Sequence, residues 1–472
     1  MRALFVSFLI CSSLGMEAQV ALTLEQCVKR AEEQNLTVRN ASLDAEFSRT
    51  NAEQAKWDLL PNLNAAGTHG YNYGRVIDRF TNTFATDRVR TNNFFLSSDL
   101  SLFEGFRKQN VMKQADLNES AAVQGLAAAR NDIRTQVVNA FLNVMGLRER
   151  IRASEGQVAT TQEQIDRTQM LVDAGRSPRA EVLNLISQRA QEEFTLTDLR
   201  NQHDLALLDL ATLMQLTPQE TAGLDVVAPS LSALAVVEPT QDASTVLANV
   251  IANNPAYAQA DLNVQSAERG IAIARSGAMP SLTFSASAGT GYSGRNFETF
   301  GEPILGDPAL LGFTASGEEV YTPTFDFNTR TTAFGKQLDD NLNESIGFTL
   351  SVPVFNNMRN RTGVDQARIR HEQAINRREQ QRNVLQRDVL TAITAQRAAY
   401  RQHESAVRAA EAAEEALLYA EERFTAGVIT AVELNASKNM ANRSTADVIN
   451  ARYSYIQASK ALDILQGIMV TL

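Results

Sequence analysis

The chain has 472 residues, 44% of them hydrophobic, with 54 acidic and 44 basic side chains and a formal net charge of −10. The negative charge disfavours nucleic acid as a partner, and beyond the first residues no run of 18 or more uncharged apolar residues predicts a transmembrane helix. There are 2 cysteines, Cys11 and Cys27, so an internal disulfide is impossible if the first is removed with a leader.

Residues 1–18 have the pattern of a secretory signal peptide. Arg2 supplies a basic start, residues 3–10 form a short apolar run, and a stretch of small residues ends at Ala18, where cleavage is predicted. A second interpretation takes Cys11 as a lipidated cysteine. Its early position, directly after a bulky residue, favours the signal peptide.

The rest of the chain consists of two copies of one design. Asn35 corresponds to Asn254 at a shift of 219 residues, and Phe103 corresponds to Phe355 at a shift of 252 residues, which indicates an insertion in the second copy. The predicted organisation is a first repeat at 19–216, a linker at 217–241 with Pro218, Pro229 and Pro239, a second repeat at 242–467 and a C-terminal end at 468–472.

Each repeat contains two segments in which apolar and small polar residues alternate. They are predicted as strands at about 62–73 and 93–103 in the first repeat, and at about 281–292 and 344–355 in the second. The mostly apolar set of alternate positions is Phe94, Leu96, Ser98, Leu100 and Leu102 in one strand of the first repeat, and Ile346, Phe348, Leu350, Val352 and Val354 in the matching strand of the second. Such segments are typical of transmembrane strands, although a half-buried soluble hairpin explains any single one equally well.

Four strands cannot close a barrel. An open sheet edge in lipid leaves backbone groups unpaired at several kcal/mol each, so insertion in a membrane predicts an oligomer. Three chains would supply twelve strands.

A long helical hairpin follows the strands in each repeat, at about 106–215 and 358–466. Between Gly363 and Gly427 neither Gly nor Pro occurs, and Ala, Glu, Arg and Gln dominate, which favours an uninterrupted helix of roughly 90 Å. The returning helix has sevenfold spacing at Leu434, Ala441, Val448, Tyr455, Leu462 and Met469. This spacing predicts coiled-coil seams, and a soluble coiled coil satisfies it as well.

The order helix, strand, strand, long helix, turn, long helix, present twice, resembles the TolC family of outer-membrane channels. The turn motif stands here as Arg167-Thr-Gln-Met-Leu-Val-Asp-Ala-Gly175 followed by Glu181-Val-Leu-Asn, and as Arg423-Phe-Thr-Ala-Gly427 followed by Glu433-Leu-Asn. The resemblance implies a mainly α fold with β: a long α-helical coiled-coil barrel plus a transmembrane β-barrel, with four strands per protomer and twelve per trimer.

The same resemblance implies a location and partners. The chain would form a homotrimer in the outer membrane, surrounded by outer-membrane lipid and with its helical part in the periplasm. A periplasmic adaptor (membrane fusion) protein and an inner-membrane pump would be its partners. Its function would be the passive exit duct of a tripartite efflux or type I secretion system, with a cargo that the sequence does not reveal.

Site residues follow from the turn motif. By resemblance, contact with the adaptor is assigned to Ala174, Gly175, Arg176, Ala426, Gly427 and Val428. Glu181 and Glu433 match the acids that line the closed end in the family, and they are candidates for the pore aperture. The family's tyrosine and arginine ties are replaced by Phe424 and Ile429, and Arg176 and Arg179 are candidate partners for Glu181. A plain helix stop and a solvated helix face are the structural alternatives.

The sequence predicts no catalytic activity, cofactor or metal. The four histidines and Cys27 lack ligand spacing, and neither a phosphate-binding loop nor a nucleophile elbow occurs. A periplasmic adaptor is an alternative, but it would have a single hairpin between split β-rich halves. A surface coiled coil is another, and it would need no strands of membrane length. Residues 293–343 are expected outside the cell, as a lid or a large surface loop.

Overall fold

The computed structural model describes residues 20–78, 80–86, 88–227 and 235–468. The predicted signal peptide, Cys11, Pro229 and Met469 lie outside these residues.

The first part of the chain contains β1 (Val20–Leu22), α1 (Leu24–Gln34), α2 (Leu36–Trp57), β2 (Asn64–Asn72), β3 (Val76–Ile77), β4 (Phe84–Ala85), β5 (Val89–Glu104), α3 (Arg107–Asp173), α4 (Arg179–Leu213), α5 (Pro218–Ala222) and β6 (Leu224–Val226). The second part contains α6 (Ala243–Asn253), α7 (Pro255–Ser276), β7 (Ser281–Ser293), β8 (Phe297–Leu305), β9 (Ala309–Phe313), β10 (Glu319–Thr322), β11 (Phe325–Thr331), α8 (Phe334–Asp340), β12 (Asn343–Ser351), α9 (Arg359–Thr425) and α10 (Ala431–Leu465).

Corresponding helices of the two parts have equal lengths. Helices α1 and α6 have 11 residues, α2 and α7 have 22, α3 and α9 have 67, and α4 and α10 have 35. Asn35 and Asn254 separate the two short helices in each part, and each side-chain oxygen accepts a hydrogen bond from a backbone N–H of the next helix. Asparagine caps a helix start in this way, so the same residue breaks the helix at the same place in both parts.

The chain divides into two compact units, residues 1–50, 116–266 and 371–472 in one and residues 51–115 and 267–370 in the other. The core of the first unit is built on α3, whose Val137, Phe141 and Met145 pack with Leu210 of α4 and Cys27 of α1, all of them buried. Burial raises the pKa of the Cys27 thiol to about 12, so it stays protonated at neutral pH. Cys27 is therefore a buried thiol of this core.

Part of the predicted linker is folded. Thr217 and Glu220 form a capping box around Pro218 and start α5, and β6 then pairs with β1 in parallel. Arg148 of α3 donates to the carbonyl of Val226 at 2.6 Å and pairs with the Asp225 carboxylate. The predicted linker at 217–241 therefore contains a helix and a strand in its first ten residues, because a Thr-Pro-x-Glu sequence is a helix start.

The second unit contains an antiparallel sheet of four strands in the order β12-β7-β5-β2. Two predicted details of it need correction. β12 ends at Ser351, so Val352 and Val354 do not belong to the strand; Pro353 lacks the N–H that would continue the ladder. A bulge between Ser101 and Phe103 interrupts the predicted alternation at Leu102, and Phe103 lies opposite Leu282.

Residues 293–343 form ordered structure. β8 pairs with β11 and β9 with β10, both antiparallel. The ring of Phe334 in α8 lies 5.3 Å from that of Tyr292 and 6.4 Å from that of Phe94, and the buried Gln337 side chain bonds the backbone N–H and carbonyl of Ser293 at 2.9 and 3.1 Å. These contacts fix α8 to the end of the strands.

Candidate functional site

Both long helices end in the same turn. After α3, Gly175 has a φ of 70°, its N–H bonds the Val172 carbonyl at 2.9 Å, and the N–H of Arg176 bonds the Leu171 carbonyl at 2.8 Å. This pair of bonds is a Schellman motif, in which the residue at positive φ is usually glycine because a Cβ atom is strained there.

The second turn repeats the motif. Gly427 has a φ of 72°, its N–H bonds the Phe424 carbonyl at 2.9 Å, and the N–H of Val428 bonds the Arg423 carbonyl at 2.8 Å. A Cβ atom built on either glycine meets no other atom within 4 Å. Glycine is therefore needed for backbone conformation, while the space beside it is open.

The predicted contact residues lie on the surface of the two turns. Ala174, Gly175, Arg176, Ala426, Gly427 and Val428 are all exposed. Beside the first turn, Ile165 of α3 packs with Val182 and Leu185 of α4 in a small buried cluster. The turn thus stands at the end of a locally packed hairpin, as a surface that a partner can reach.

The two candidate acids occupy the same position, the third residue of a returning helix. The Glu433 N–H donates to the Thr430 hydroxyl at 3.3 Å, and the Glu433 side chain is exposed. Glu181 is half-buried and accepts a hydrogen bond from the Ser177 hydroxyl. A carboxylate in the first turn of a helix also stabilises the positive end of the helix dipole, so each acid has a structural reason beside its predicted role.

The predicted partners of Glu181 are not found. Within the described residues no ion pair joins Glu181 to Arg176 or Arg179. The Ser177 hydroxyl instead donates a hydrogen bond to the Glu181 carboxylate. Across those same residues, no hydrogen bond or ion pair connects the first turn with the second.

A buried lysine near the second turn was not predicted. Lys438 of α10 is 1% exposed, and its Nζ atom has no hydrogen-bond partner in the described parts of the chain. Burial lowers its pKa below the ordinary value, against the influence of the Glu421 and Glu192 carboxylates. One Glu192 oxygen on α4 is likewise buried without such a partner. Lys438 follows the buried Leu434 by one helical turn, a spacing that could have identified it.

One face of the sheet is apolar across its strands. Phe348 lies opposite Phe284 with ring centroids 5.2 Å apart, and Phe284 lies opposite Leu100 on its other side. The same face continues through Leu282, Leu350, Ala286, Ile346, Ala288, Leu96 and Ala65, and it also carries the polar Ser98 and Glu344. The opposite face carries Thr349, Thr283, Ser101, Gly347, Ser285 and Asp99. Phe348 is 67% exposed within the chain, so the apolar face is available to an apolar environment.

The described parts of the chain hold neither a cluster of metal ligands nor a membrane-spanning helix. Over 20–78, 80–86, 88–227 and 235–468, no group of three or more His, Cys, Asp or Glu side chains is placed to hold a metal ion. In those ranges no helix combines the length and the apolar character needed to cross a membrane.

The chain matches known proteins in sequence and in structure. The sequence model of the family described as outer membrane efflux protein matches residues 27–215 and 246–467, which is most of the chain. Outer membrane protein TolC of Vibrio cholerae serotype O1 is 27% identical over 188 residues, and this match covers 39% of the chain and 42% of the relative.

Solved structures of outer-membrane channels share the fold. The Campylobacter jejuni CmeC outer membrane channel superposes with a TM-score of 0.75 over 94% of this chain and 85% of that one, at 12% identity. The outer membrane protein VceC of Vibrio cholerae gives a TM-score of 0.73 over 94% and 96% of the two chains, at 16% identity. The family match covers both halves of the chain and agrees with the two equal sets of helices and the apolar sheet face. The chain belongs to the outer membrane efflux protein family, which places it in the outer membrane with its helical part in the periplasm.

Proposed function

We propose that three copies of the chain form the passive exit duct of a tripartite efflux or type I secretion system. The observation that carries the proposal is the four-stranded sheet with one face that is largely apolar across all four strands. Its outer strands β2 and β12 each have one edge without a strand partner in the described residues. In lipid those edges would cost several kcal/mol for each unpaired backbone group, and joining β12 of one copy to β2 of the next removes the cost.

Three sheets joined in this way give twelve strands, an even number in the range of bacterial outer-membrane barrels. The helices then continue the duct into the periplasm, where the turns at Gly175 and Gly427 meet the adaptor, and the inner-membrane pump supplies the energy. The alternatives of an adaptor or a surface coiled coil leave the apolar sheet face without a partner.

The assembly is tested by mass. Light scattering of the purified protein, corrected for bound detergent, should give three times the mass of the mature chain, because each sheet needs two neighbours. A stable, folded monomer in detergent would contradict the closed barrel.

The aperture acids give a second prediction. Three copies of Glu433 and three of Glu181 around one axis would raise the local concentration of cations in a narrow opening. We expect cation selectivity in planar bilayers that weakens in Glu433→Gln and weakens further when Glu181→Gln is added. At 1 M salt the difference should vanish, since the screening length falls to about 3 Å.

Thr430→Val is the matched control, because it removes the hydroxyl that accepts from the Glu433 N–H and leaves both carboxylates in place. It should keep the selectivity of the unchanged protein. Unchanged selectivity of the double glutamine variant at low salt would place both acids on a solvated outer face and would make the aperture assignment wrong.

A further inference from the structure

Two arginines are stacked on tyrosine rings at one end of the largely apolar sheet face. The Cζ atom of Arg88 lies 4.9 Å from the centre of the Tyr71 ring, and that of Arg90 lies 4.6 Å from the centre of the Tyr292 ring. Both arginines are exposed, and neither forms an ion pair with any of the described residues. Stacking on an aromatic face leaves the N–H groups at the edge of a guanidinium free to donate hydrogen bonds.

The strand register places these stacks on the same face as the apolar residues. Tyr71 of β2 lies opposite Arg90 of β5, six residues along the strands from the opposite pair Ala65 and Leu96 of that face. An even number of residues along a strand returns to the same side of the sheet. Glu344, the acidic residue of this face, lies on β12, which β7 separates from β5. The two arginines therefore carry their charge at the end of a surface that is otherwise apolar beside them.

The position of the stacks fits the boundary of a membrane. Tyr292 lies ten residues along β7 from Leu282, a length of about 34 Å. At the usual strand tilt this length corresponds to a height of about 25 Å, the height of the apolar band of an outer-membrane barrel, whose rims carry aromatic residues. The helix α7 enters the sheet beside Leu282, and the helical part is periplasmic. The tyrosine end of the band therefore faces the outer leaflet.

The Arg90 stack is held in place by its surroundings. Tyr292 is 6% exposed, and its ring centre lies 5.3 Å from that of Phe334 in α8. The backbone carbonyl of Arg90 accepts a hydrogen bond from the Gly294 N–H at 2.8 Å. Because the ring and the backbone are both fixed, the guanidinium is already positioned, and less ordering is needed when a ligand binds.

A third arginine in the same part of the chain is stacked in the same way but is already paired. Arg330 of β11 lies over the Phe300 ring at 5.5 Å, and its Nε atom donates to the Glu298 carboxylate at 2.8 Å. That carboxylate balances its positive charge. The charges of Arg88 and Arg90 are instead available to an anion from outside the chain.

From this geometry we infer that Arg88 and Arg90 bind the phosphate group of a glycolipid in the outer leaflet of the outer membrane. A guanidinium donates two parallel N–H bonds to phosphate oxygens, which makes arginine well suited to this group. The acyl chains of the same lipid would lie along the apolar sheet face, directly below the arginines. A free phosphate ion would contact the arginines alone, so the surface favours the lipid. The inference rests on the proposed duct, which puts this face in lipid.

Binding of a phosphorylated lipid tests the site. The purified trimer in detergent is titrated with diphosphorylated lipid A, and bound lipid is measured by native mass spectrometry. Arg88→Gln with Arg90→Gln should weaken the binding roughly tenfold or more, because charge-assisted hydrogen bonds are lost. Lipid A without its phosphates should bind the unchanged protein as weakly as diphosphorylated lipid A binds the glutamine variant.

A lysine pair provides a second variant. Arg88→Lys with Arg90→Lys keeps both charges but loses the planar pair of donors and its stacking. It should bind diphosphorylated lipid A less tightly than the unchanged protein and more tightly than the glutamine pair. Equal binding by all three proteins would overturn the site.

Arg330→Gln is the matched control, because it removes a stacked arginine whose charge is already balanced. It should leave lipid binding unchanged, and inorganic phosphate in millimolar excess should not displace the lipid. A loss as large as that of the Arg88 and Arg90 pair would show a general effect of charge. Displacement by inorganic phosphate, or equal binding of lipid A with and without phosphates, would contradict recognition of a lipid phosphate.

The trimer level of each variant, measured first, separates this inference from the proposed duct. If all variants are trimers but lipid binding is insensitive to Arg88 and Arg90, the lipid site is wrong and the proposed duct stands. If the unchanged protein is a monomer, the proposed duct itself fails.

Discussion

Phe348→Arg should nearly abolish the assembled channel in the outer membrane, whereas Thr349→Arg, one residue further along β12, should leave most of it in place. Phe348 lies on the apolar face opposite Phe284, and Thr349 lies on the polar face opposite Thr283. A lipid-facing arginine near the middle of the bilayer costs about 2–4 kcal/mol, and a trimer incurs that cost three times. The amount of heat-modifiable trimer in outer-membrane fractions measures the effect.

Cysteine labelling checks the two faces independently. A cysteine at 348 should react with a lipid-soluble reagent and one at 349 with a water-soluble reagent. The reverse pattern would place the apolar face toward the pore, and an equal loss of trimer in both arginine variants would mean that β12 tolerates no charge on either face.

Val substitution of both turn glycines, Gly175→Val with Gly427→Val, should remove transport almost completely while leaving the trimer assembled. Each glycine is at positive φ, so a side chain costs about 1 kcal/mol or somewhat more, but a Cβ atom there meets no neighbour within 4 Å. The loss would therefore come from the surface of the turn rather than from the fold. Growth in the presence of an exported toxic compound, set against the trimer level, measures it.

Substitution by asparagine distinguishes the two interpretations of the turn glycines, a surface that contacts the adaptor and a plain helix stop. Asn tolerates the left-handed conformation that Val disfavours, so Gly175→Asn with Gly427→Asn keeps the turn and adds a side chain to its surface. If the adaptor needs the bare turn, the Asn pair loses transport as the Val pair does. Normal transport in the Asn pair, or a parallel fall of trimer and transport in the Val pair, would support the helix-stop interpretation.

The helical part of the fold could be predicted because its signals are long and regular. Between Gly363 and the end of α9 neither Gly nor Pro occurs, and Leu385, Val389 and Ile393 are buried at helical spacing, which leaves one interpretation. Short elements were missed because single residues decide them. Thr217 starts α5 by capping, and Pro353 ends β12 by lacking an N–H.

The candidate site could be predicted only in part. A helix stop at the turn glycines was one interpretation of the sequence, and both glycines have the positive φ that such a stop requires. The partner of Glu181 was not foreseen, because Arg176, Ser177 and Arg179 all lie within five residues of it in sequence and only the path of the turn selects the hydroxyl. The spacing of Lys438 from Leu434 marks its face of α10 as a buried one, but the position of Glu192 near it comes from the other hairpin and is not contained in any local pattern.

The equal lengths of α3 and α9, and of α4 and α10, have a consequence for how this gene can change. Deleting one residue from a long helix would turn every later side chain by about 100° about the helix axis. A deletion in α10 before Leu434 would so turn Lys438 and Tyr453 away from the neighbouring hairpin together. Selection should therefore remove single-residue insertions and deletions from these helices. Changes of length that are tolerated should come as whole heptads in both helices of a hairpin. The surface segment between β7 and β12 is free of this constraint, and it is there that the second copy has grown longer than the first.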